Sequence, residues 1–435
     1  MFGREELRYV QLVATEAREF AVWPIGRRPP RGWRVVPFAG TLAACGRHVA
    51  ELHHAAATRS GGGQAPQSAG HELVGLLAKA AGEQPDAVAL SAGALRMTYR
   101  QLWEHVEELA ARLGEAGVGP GGRVAVVGRP PADLVVVVVA VLVAGATCVL
   151  AEGGSPEATG EAVRAVRPDL VLAPAGTPCV PPWWPEARCH WSGPTGSTWH
   201  AWGTTEQAAG TGGRVATPAS APVTGGAPAE AALVVSASPD GTGVVWRGQQ
   251  LAWLAGGCGL PRLGCGDRLL PLAPLDATTT LVVALRALLT GAELALPADG
   301  DRSSATGPVP ARWRLRVERA DGSVDEIQVF GFAETTMLAA TVDPATGELT
   351  PLPQTRGCVL DGHLASVPRG QVGELYLAGT PLAAGYLDRP ELTMGRFLPD
   401  PSGAAPGSLM FRTGLLARQV AEQRFSLVGP ASTGS

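Results

Sequence analysis

Three consecutive segments decide the fold class: RVAVVG at 123–128, PADLVVVVVAVLVA at 131–144 and TCVL at 147–150. The apolar run 134–151 reaches the lower length limit of a membrane-spanning helix. It contains Gly145, however, and it follows a segment that is typical of a strand. We therefore predict a buried strand, helix and strand of a parallel sheet rather than a transmembrane helix.

The alternation of helices and strands continues on both sides of these segments. Thr98 and Gln101 have the spacing of a capping box, which predicts the start of a helix that stops at Gly117. Its predicted inward-facing residues are Leu102, Val106, Leu109 and Leu113. Further predicted elements are helix 156–166, strand 170–172, strand 233–236, helix 278–289 and strand 294–296. A β-rich part follows Trp313, so the pattern indicates an α/β fold with mainly parallel sheets flanked by helices.

The composition argues against several classes of protein. The 435 residues suffice for two or three domains, and 46% of them are hydrophobic, as in ordinary globular proteins. A net charge of −4 without a basic block argues against binding to nucleic acid or to an anionic membrane. The 7 cysteines include no CxxC pair, and Cys189-His190 has no further ligands at metal spacing, so we predict neither a disulfide framework nor a metal site. No secretory signal opens the chain, which predicts a cytoplasmic protein.

Low-complexity stretches divide the chain. Residues 55–70 (AAATRSGGGQAPQSAG) have the composition of a flexible linker between two domains, 1–54 and 71–435. Two further stretches, 203–230 and 297–310, are predicted to be loops within the second domain.

The small N-terminal domain is predicted to contain strands at 9–13, 19–24 and 34–36 and a helix at 41–53. Such a domain has a marginal hydrophobic core unless something else packs against it. The segment also lacks a convergent acid, base and nucleophile. It is therefore predicted to be a docking module rather than an enzyme.

Short motifs recur in a fixed order along the second domain. They are MTYRQL at 97–102, LVAGATCV at 142–149, GELYLAG at 373–379, AAGYL at 383–387, ELT at 391–393 and FRTG at 411–414. This series resembles the core motifs of the adenylation domains of non-ribosomal peptide synthetases, within the adenylate-forming superfamily. The resemblance implies the fold of the adenylate-forming N-terminal subdomain and a role in secondary metabolism such as antibiotic biosynthesis.

Two tryptophan motifs mark the N-terminal domain: VWP, which contains Trp23 and Pro24, and PRGW, which ends at Trp33. They resemble the MbtH-like proteins, small partners that bind and activate adenylation domains. The resemblance implies a cleft that receives a side chain of an adenylation domain, and plain core packing is the alternative. Related adenylation domains offer a small residue there, whereas this chain has Met394, which either fills the cleft or leaves it free for a different partner.

The segment in the position of the family's phosphate-binding loop is altered. It reads SASPDGTG at 236–243, where Pro239 removes an amide donor and Asp240 places a negative charge near a phosphate. The family's lysine is absent, although Arg247 lies just beyond, and the only lysine of the chain is Lys79. The residues that the resemblance assigns to this vestigial phosphate site are Ser236, Ser238, Gly241, Thr242 and Gly243.

Two acidic residues keep their places in the family's pattern. Glu334, in VFGFAETT at 329–336, matches the glutamate that the resemblance associates with Mg²⁺. Asp276 stands where the family has the aspartate that binds the substrate's α-amino group, and an N-cap of helix 278–289 is the alternative. The chain between the two acids is shorter than in the family, and it should hold most of the pocket that reads the amino-acid side chain.

Two further features bear on catalysis. Leu415 follows FRTG where the family has an aspartate that holds the ribose hydroxyls of ATP, and leucine offers no acceptor. The chain ends at Ser435, where the hinge of the family's C-terminal subdomain is expected to begin. Loss of one preorganised charge-stabilising donor lowers a rate roughly a hundred- to a thousandfold. We therefore predict a pseudoenzyme without a bound cofactor.

The sequence thus predicts an accessory protein of non-ribosomal peptide biosynthesis that binds or activates a partner adenylation domain or a tailoring enzyme. The MbtH-like and adenylation-like parts either dock on each other or act separately. The alternative is an enzyme that adenylates amino acids with ATP and Mg²⁺ and borrows a subdomain from another chain. Its working residues would be Glu334, Asp276 and Arg247.

Overall fold

The computed structural model describes ten ranges of the chain: 9–57, 69–128, 131–151, 155–177, 189–203, 233–237, 242–272, 277–297, 311–403 and 405–431. The described residues form two compact units. Residues 9–57 and 328–431 belong to the first unit, and the described residues from 69 to 327 belong to the second. The N-terminal segment and the β-rich C-terminal part are therefore one unit, although they are far apart in the sequence.

The elements follow the predicted alternation closely. The N-terminal segment contains β1 (Val10–Ala14), β2 (Phe20–Pro24), β3 (Arg34–Gly40) and α1 (Leu42–Ala57). The next elements are α2 (Ala69–Glu83), β4 (Val88–Ala92), β5 (Leu95–Thr98), α3 (Tyr99–Glu115), β6 (Arg123–Val126), α4 (Pro131–Val143), β7 (Thr147–Ala151), α5 (Pro156–Ala165), β8 (Leu170–Pro174), β9 (Cys189–Ser192), β10 (Thr198–Gly203), β11 (Leu233–Ala237), β12 (Val244–Trp246), α6 (Gly248–Gly256), β13 (Arg268–Leu272), α7 (Ala277–Thr290), β14 (Glu293–Leu296) and β15 (Ala311–Glu318).

The C-terminal part is β-rich, as predicted. It contains β16 (Val324–Gly331), a 3₁₀ turn (Ala333–Thr335), β17 (Ala340–Val342), β18 (Leu349–Pro351), β19 (Thr355–Leu360), β20 (Val372–Gly379), β21 (Gly385–Tyr386), α8 (Pro390–Arg396), β22 (Phe397–Pro399), β23 (Leu409–Ala421) and β24 (Arg424–Pro430).

The first unit combines a small sheet with a larger one. The small sheet has the order β2-β1-β3, with both neighbours antiparallel to β1. The strands of the larger sheet follow the order β19-β20-β23-β24-β18-β17-β16, and β22 pairs with β23. Side chains from both sheets, from α1 and from α8 share one hydrophobic core. The small sheet thus acquires the core that its own four elements are too few to supply.

The second unit contains the parallel strands that the sequence predicts. One sheet has the order β12-β11-β7-β6-β8-β10-β9, in which β6 lies parallel to both β7 and β8. The other has the order β15-β13-β14-β4-β5, with parallel pairing of β14 to β13 and β4. Every residue of α4 from Ala132 to Leu142 is buried, which confirms the buried helix. Among the described helices, none combines the length and hydropathy needed to span a membrane.

The helix start at Thr98 is also confirmed. The backbone N–H of Gln101 donates to Thr98 Oγ1 at 3.3 Å, and the N–H of Thr98 donates to Gln101 Oε1 at 2.9 Å. This reciprocal pair satisfies two helix-end donors, as the capping-box spacing predicts. The predicted inward-facing residues of α3 are all buried: Leu102, Val106, Leu109 and Leu113.

The predicted linker 55–70 is helical at both ends. Helix α1 extends to Ala57 and α2 begins at Ala69, because alanine-rich sequence favours helix over coil. Residues 58–68 lie outside the described ranges, as do 204–232 and 298–310, which make up most of the two predicted loops.

Residues near Cys189-His190 form an antiparallel hairpin, β9 with β10, that the sequence patterning did not indicate. The hairpin is anchored on Asp133 of α4, whose side chain is fully buried. That carboxylate accepts hydrogen bonds from Thr195 Oγ1 at 2.7 Å and from Trp199 Nε1 at 3.1 Å. These donors satisfy a buried charge that would otherwise be costly.

Candidate functional site

The tryptophan cluster is the most complete candidate site of the first unit. Trp23 of β2, Trp33 and Met394 of α8 are 1%, 5% and 2% exposed, respectively, and lie in one hydrophobic core. We define the cluster as these three residues with their buried neighbours Val22, Cys45, Tyr376, Leu398 and Met410. The N-terminal segment and the C-terminal part therefore share a core that contains Met394 and both tryptophans.

Polar contacts position the two indole rings. Trp33 Nε1 donates to the carbonyl of Ser408 at 3.4 Å, and Trp23 Nε1 donates to the carbonyl of Arg28 at 3.2 Å. Beside Trp33, the N–H of Gly407 donates to the carbonyl of Arg31 at 2.9 Å. Buried indole N–H groups need such acceptors, so both rings have a defined orientation.

Glycine residues allow the backbones to approach at this contact. Gly32 has φ +87°, and a Cβ there would lie 2.3 Å from the backbone nitrogen of Gly407. Helices α1 and α8 pack in the same way, which we call the helix seam. A Cβ on Gly46 of α1 would lie 2.6 Å from Glu391 Cβ, and one on Gly395 of α8 would lie 2.8 Å from Leu42 Cδ2. No side chain larger than hydrogen fits at these places without a shift.

Arg27 and Pro24 lie at the margin of the tryptophan cluster. The Arg27 guanidinium lies over the Trp23 ring, 5.4 Å from its centroid, and donates to the carbonyl of His363. Pro24 is outside the shared core, and its carbonyl accepts a hydrogen bond from Gln11 Nε2 at 3.0 Å. Of the four residues predicted to bind a partner, three come together and Pro24 ends the strand beside them.

Glu334 is held in the 3₁₀ turn, which we call the Glu334 turn. Its Oε1 accepts a hydrogen bond from the Tyr386 hydroxyl at 2.6 Å, and its carbonyl accepts one from the N–H of Ala383 at 2.8 Å. Burial of Tyr386 raises the pKa of its hydroxyl, and the adjacent negative charge of Glu334 adds to the rise. The carboxylate is therefore engaged in a strong charge-assisted hydrogen bond within the protein.

Leu415 lies within β23, where the resemblance places a ribose-binding aspartate. Its side chain is partly buried, its N–H donates to Thr413 Oγ1 at 3.1 Å, and it is paired with Pro430 of β24. An aliphatic side chain at this place offers no acceptor to ribose hydroxyls. The residue present therefore does not fit the ribose of ATP.

The other predicted nucleotide-site residues are described only in part. Arg247 precedes α6, and its N–H donates to Gln250 Oε1 at 3.0 Å. Thr242 and Gly243 lead into β12, and Ser236 lies in β11. Ser238, Gly241 and Asp276 lie outside the described residues. In the ranges that the structure describes, no group of three His, Cys, Asp or Glu side chains is arranged to hold a metal ion.

Several contact residues were not predicted from the sequence. Gly46, Gly395 and Gly407 permit the close approaches, and Tyr386 binds Glu334. The sequence alone does not show that these glycines lie at close contacts, because an isolated glycine in a helix or a turn has many possible explanations. Tyr386 lies in the quoted motif AAGYL, but the spacing alone does not reveal its partner 52 residues away.

Comparison with known proteins agrees with the fold and motifs. Residues 77–181 match the family model described as AMP-binding enzyme. A phosphinothricin tripeptide synthetase of Streptomyces viridochromogenes is 36% identical over 168 residues, which are 38% of this chain and 15% of that protein. A dimodular nonribosomal peptide synthase of Bacillus subtilis is 43% identical over 111 residues, which are 24% of this chain and 4% of that protein. The chain thus spans a small part of these relatives' length.

Solved structures share the fold at low identity. An artificially fused adenylation–PCP di-domain of Klebsiella oxytoca aligns with a TM-score of 0.58 and 20% identity, covering 83% of this chain and 72% of that one. The N-terminal subdomain of NpsA from the same organism aligns with a TM-score of 0.56 and 21% identity, covering 82% and 99%.

Residues 77–181 are therefore similar to the AMP-binding region of nonribosomal peptide synthetases of the adenylation type. The described fold is that of the adenylate-forming N-terminal subdomain, preceded by a small three-stranded antiparallel sheet.

Proposed function

We propose that the chain is a non-catalytic, accessory component of nonribosomal peptide biosynthesis. On this proposal, residues 9–57 are an MbtH-like module that docks on residues 328–431 of the same chain. The observation that carries the loss of catalysis is Leu415, which replaces a hydrogen-bond acceptor by an aliphatic group within a paired strand. The altered loop sequence, with Pro239 and Asp240, supports the same conclusion.

The docking part of the proposal is supported by the tryptophan cluster. Met394 is almost fully buried in the same core as Trp23 and Trp33, which supports the proposal that Met394 fills the cleft from within the chain. A second adenylation domain would have to displace this side chain to use the same cleft. We therefore expect the chain to bind a partner adenylation domain or tailoring enzyme through another surface.

The decisive test is amino-acid-dependent exchange of pyrophosphate into ATP. The full chain is assayed over a broad amino-acid panel, alone and with adenylation domains of the same biosynthetic pathway. We expect no exchange by the chain alone and increased exchange by an added domain. Exchange by the purified chain alone would overturn the proposal and favour the amino-acid-adenylating alternative.

Nucleotide binding gives a second readout that does not depend on turnover. Isothermal titration with Mg²⁺ and ATP up to millimolar concentration should give no binding heat for the natural chain. A Leu415→Asp variant should remain silent as well, because the altered loop still carries Asp240 where phosphate charge would lie. Binding by that variant would assign the defect to the ribose contact alone and contradict a disabled phosphate loop.

A further inference from the structure

One face of the sheet β15-β13-β14-β4-β5 carries a band of polar contacts across all five strands. Arg268 Nη1 pairs with Glu318 Oε2 of β15 at 2.6 Å, and Arg268 Nε lies 3.2 Å from Glu293 Oε2 of β14. Ser91 Oγ of β4 donates to Glu293 Oε1 at 2.5 Å. Arg96 of β5 lies 3.8 Å from the same Glu293 oxygen. Because side chains alternate along strands, these contacts identify the side chains that share this face.

An apolar strip lies along β13 on that face, directly beside β15. Strand register places Leu270 and Leu272 opposite Arg316 and Arg314, so the two leucines point to the same side as the arginines. Both leucines are only partly buried, whereas Leu269, which precedes them and points to the opposite face, is 1% exposed. They line a shallow cavity of about 360 Å³ together with Ser91, Gly93, Arg96, Arg268, Pro271, Ala295, Leu296 and Pro297.

Arginines flank the strip on both sides. On β15, Arg312 and Arg314 are exposed, and Arg316 pairs with Glu326 at 2.6 Å. On β5, the Arg96 side chain is 64% exposed. The described charged side chains on and beside this face are Arg96, Arg268, Arg312, Arg314, Arg316, Glu293, Glu318 and Glu326. This arginine-flanked face therefore has an excess of positive charge on a chain whose net charge is −4.

The spacing of the two flanks suits one helix. Neighbouring strands lie about 4.8 Å apart, so the four spacings from β15 to β5 separate the arginine flanks by about 19 Å. An α-helix with its side chains is about 10–12 Å across. The leucine strip lies one spacing from the arginines of β15, and on its other side the Arg96 guanidinium reaches Glu293 of β14, so acidic side chains on both edges of a helix over the strip would meet an arginine.

We infer that the arginine-flanked face binds an acidic amphipathic helix of a partner protein. Leucine-like residues of that helix would cover Leu270 and Leu272, while glutamates or aspartates at its edges would pair with Arg96 and Arg314. Parallel sheets normally have helices on both faces, and α7 packs against one face of β13 and β14. The inference rests on the proposed function, because it supplies the separate surface through which an accessory chain would hold its partner.

A designed peptide tests this inference directly. The probe is a fluorescent helix of about 18 residues, long enough to be helical, with leucines on one face and glutamates along both edges. Fluorescence anisotropy with the full chain should report binding that weakens when salt is raised from 0.1 to 0.5 M. The Arg312→Glu/Arg314→Glu variant should bind the probe at least about tenfold more weakly.

Matched controls separate this site from general charge attraction. Arg369→Glu/Arg418→Glu makes the same charge change at exposed positions of the other unit and should leave binding unchanged. A probe with lysines in place of the glutamates should prefer the Arg312→Glu/Arg314→Glu variant over the natural chain. Circular dichroism checks that each variant is folded.

Three outcomes would overturn the inference. The first is equal binding of the probe by both double variants. The second is binding that appears only after residues 298–310 are replaced by a glycine-serine linker, which would make the chain itself the occupant. The third is a dimer in sedimentation that Arg312→Glu/Arg314→Glu abolishes, which would make a second copy the occupant. The exchange assay reports on the proposed function separately, since none of these substitutions touches its residues.

Discussion

The tryptophan cluster and the Glu334 turn lie in the same unit, yet they differ in which features of the family's pattern they retain. In the cluster, Trp23, Trp33 and Met394 are buried together and the indole N–H groups have acceptors. At the positions that the family resemblance assigns to a nucleotide, Glu334 is bound by Tyr386, and Leu415 has an aliphatic side chain without a hydrogen-bond acceptor. The proposed function accounts for this difference, because it requires the packing at the contact and does not require a bound nucleotide.

This difference indicates that the residues that stabilise the fold are not the residues that would bind a ligand. A buried core tolerates little change, because each lost contact costs folding stability. A ribose-binding group can be replaced by leucine with little effect on folding, since that group is needed only when ligand is bound. The proposed accessory function predicts this combination, and the following substitutions test each side of it.

The largest effect is expected for a charge placed in the tryptophan cluster. Met394→Asp would bury a carboxylate among apolar side chains and should lower the free energy of unfolding by about 3–5 kcal/mol. Met394→Leu, which nearly conserves volume, should cost less than about 1.5 kcal/mol. Urea denaturation of the full chain measures both values. Equal, small losses for the two variants would mean that the side chain is solvated and that the cluster is open.

A smaller effect is expected at the helix seam. Gly46→Ala would place a methyl group 2.6 Å from Glu391 Cβ, and overpacking of this kind costs about 1–3 kcal/mol. Gly114→Ala in α3 is the matched control, because a Cβ there meets no atom within 4 Å. That substitution should stabilise the chain by about 0.5–1 kcal/mol through helix propensity. If Gly46→Ala were stabilising to the same extent, α1 and α8 would not pack closely.

Much of the fold follows from local patterns in the sequence. The apolar runs of β6, α4 and β7 and the capping box at Thr98 are set by neighbouring residues, so periodicity and spacing predict them. The expectation that Met394 lies near Trp33 came from a family resemblance, since no local pattern joins residues so far apart, and both residues lie in one core. The Tyr386–Glu334 bond and the glycine contacts depend on tertiary packing, which a single sequence does not reveal.

The arginine-flanked face illustrates the same limit. The alternation RWRLRVE in β15 indicates one polar and one apolar side, but not which strands lie beside it. Only the register of β13 against β15 brings Leu270 and Leu272 next to those arginines. The charge pattern was readable from the sequence, whereas the apolar strip between two charged flanks is a property of the assembled sheet.

The smallest effect is expected at the Glu334 turn, where it also depends on pH. Tyr386→Phe removes the hydrogen bond to Glu334 and should cost about 1–2 kcal/mol at neutral pH. Burial and the Glu334 charge raise the pKa of Tyr386 in the folded chain above the unfolded value of about 10. Its stabilising contribution is therefore complete below about pH 10 and is lost as pH rises further, because only the unfolded chain then ionises.

Denaturation midpoints between pH 9 and 11 measure this dependence. Tyr99 and Tyr376 are also buried with raised pKa values, so the natural chain should lose stability steeply above pH 10. Tyr386→Phe should reduce that slope by up to about 1.4 kcal/mol per pH unit, the contribution of one proton. Glu334→Gln keeps an acceptor but removes the charge, so it should lower stability less than Tyr386→Phe does at neutral pH. An unchanged slope in Tyr386→Phe would mean that this hydroxyl is accessible and that Glu334 is free to bind another group, as the adenylating alternative requires.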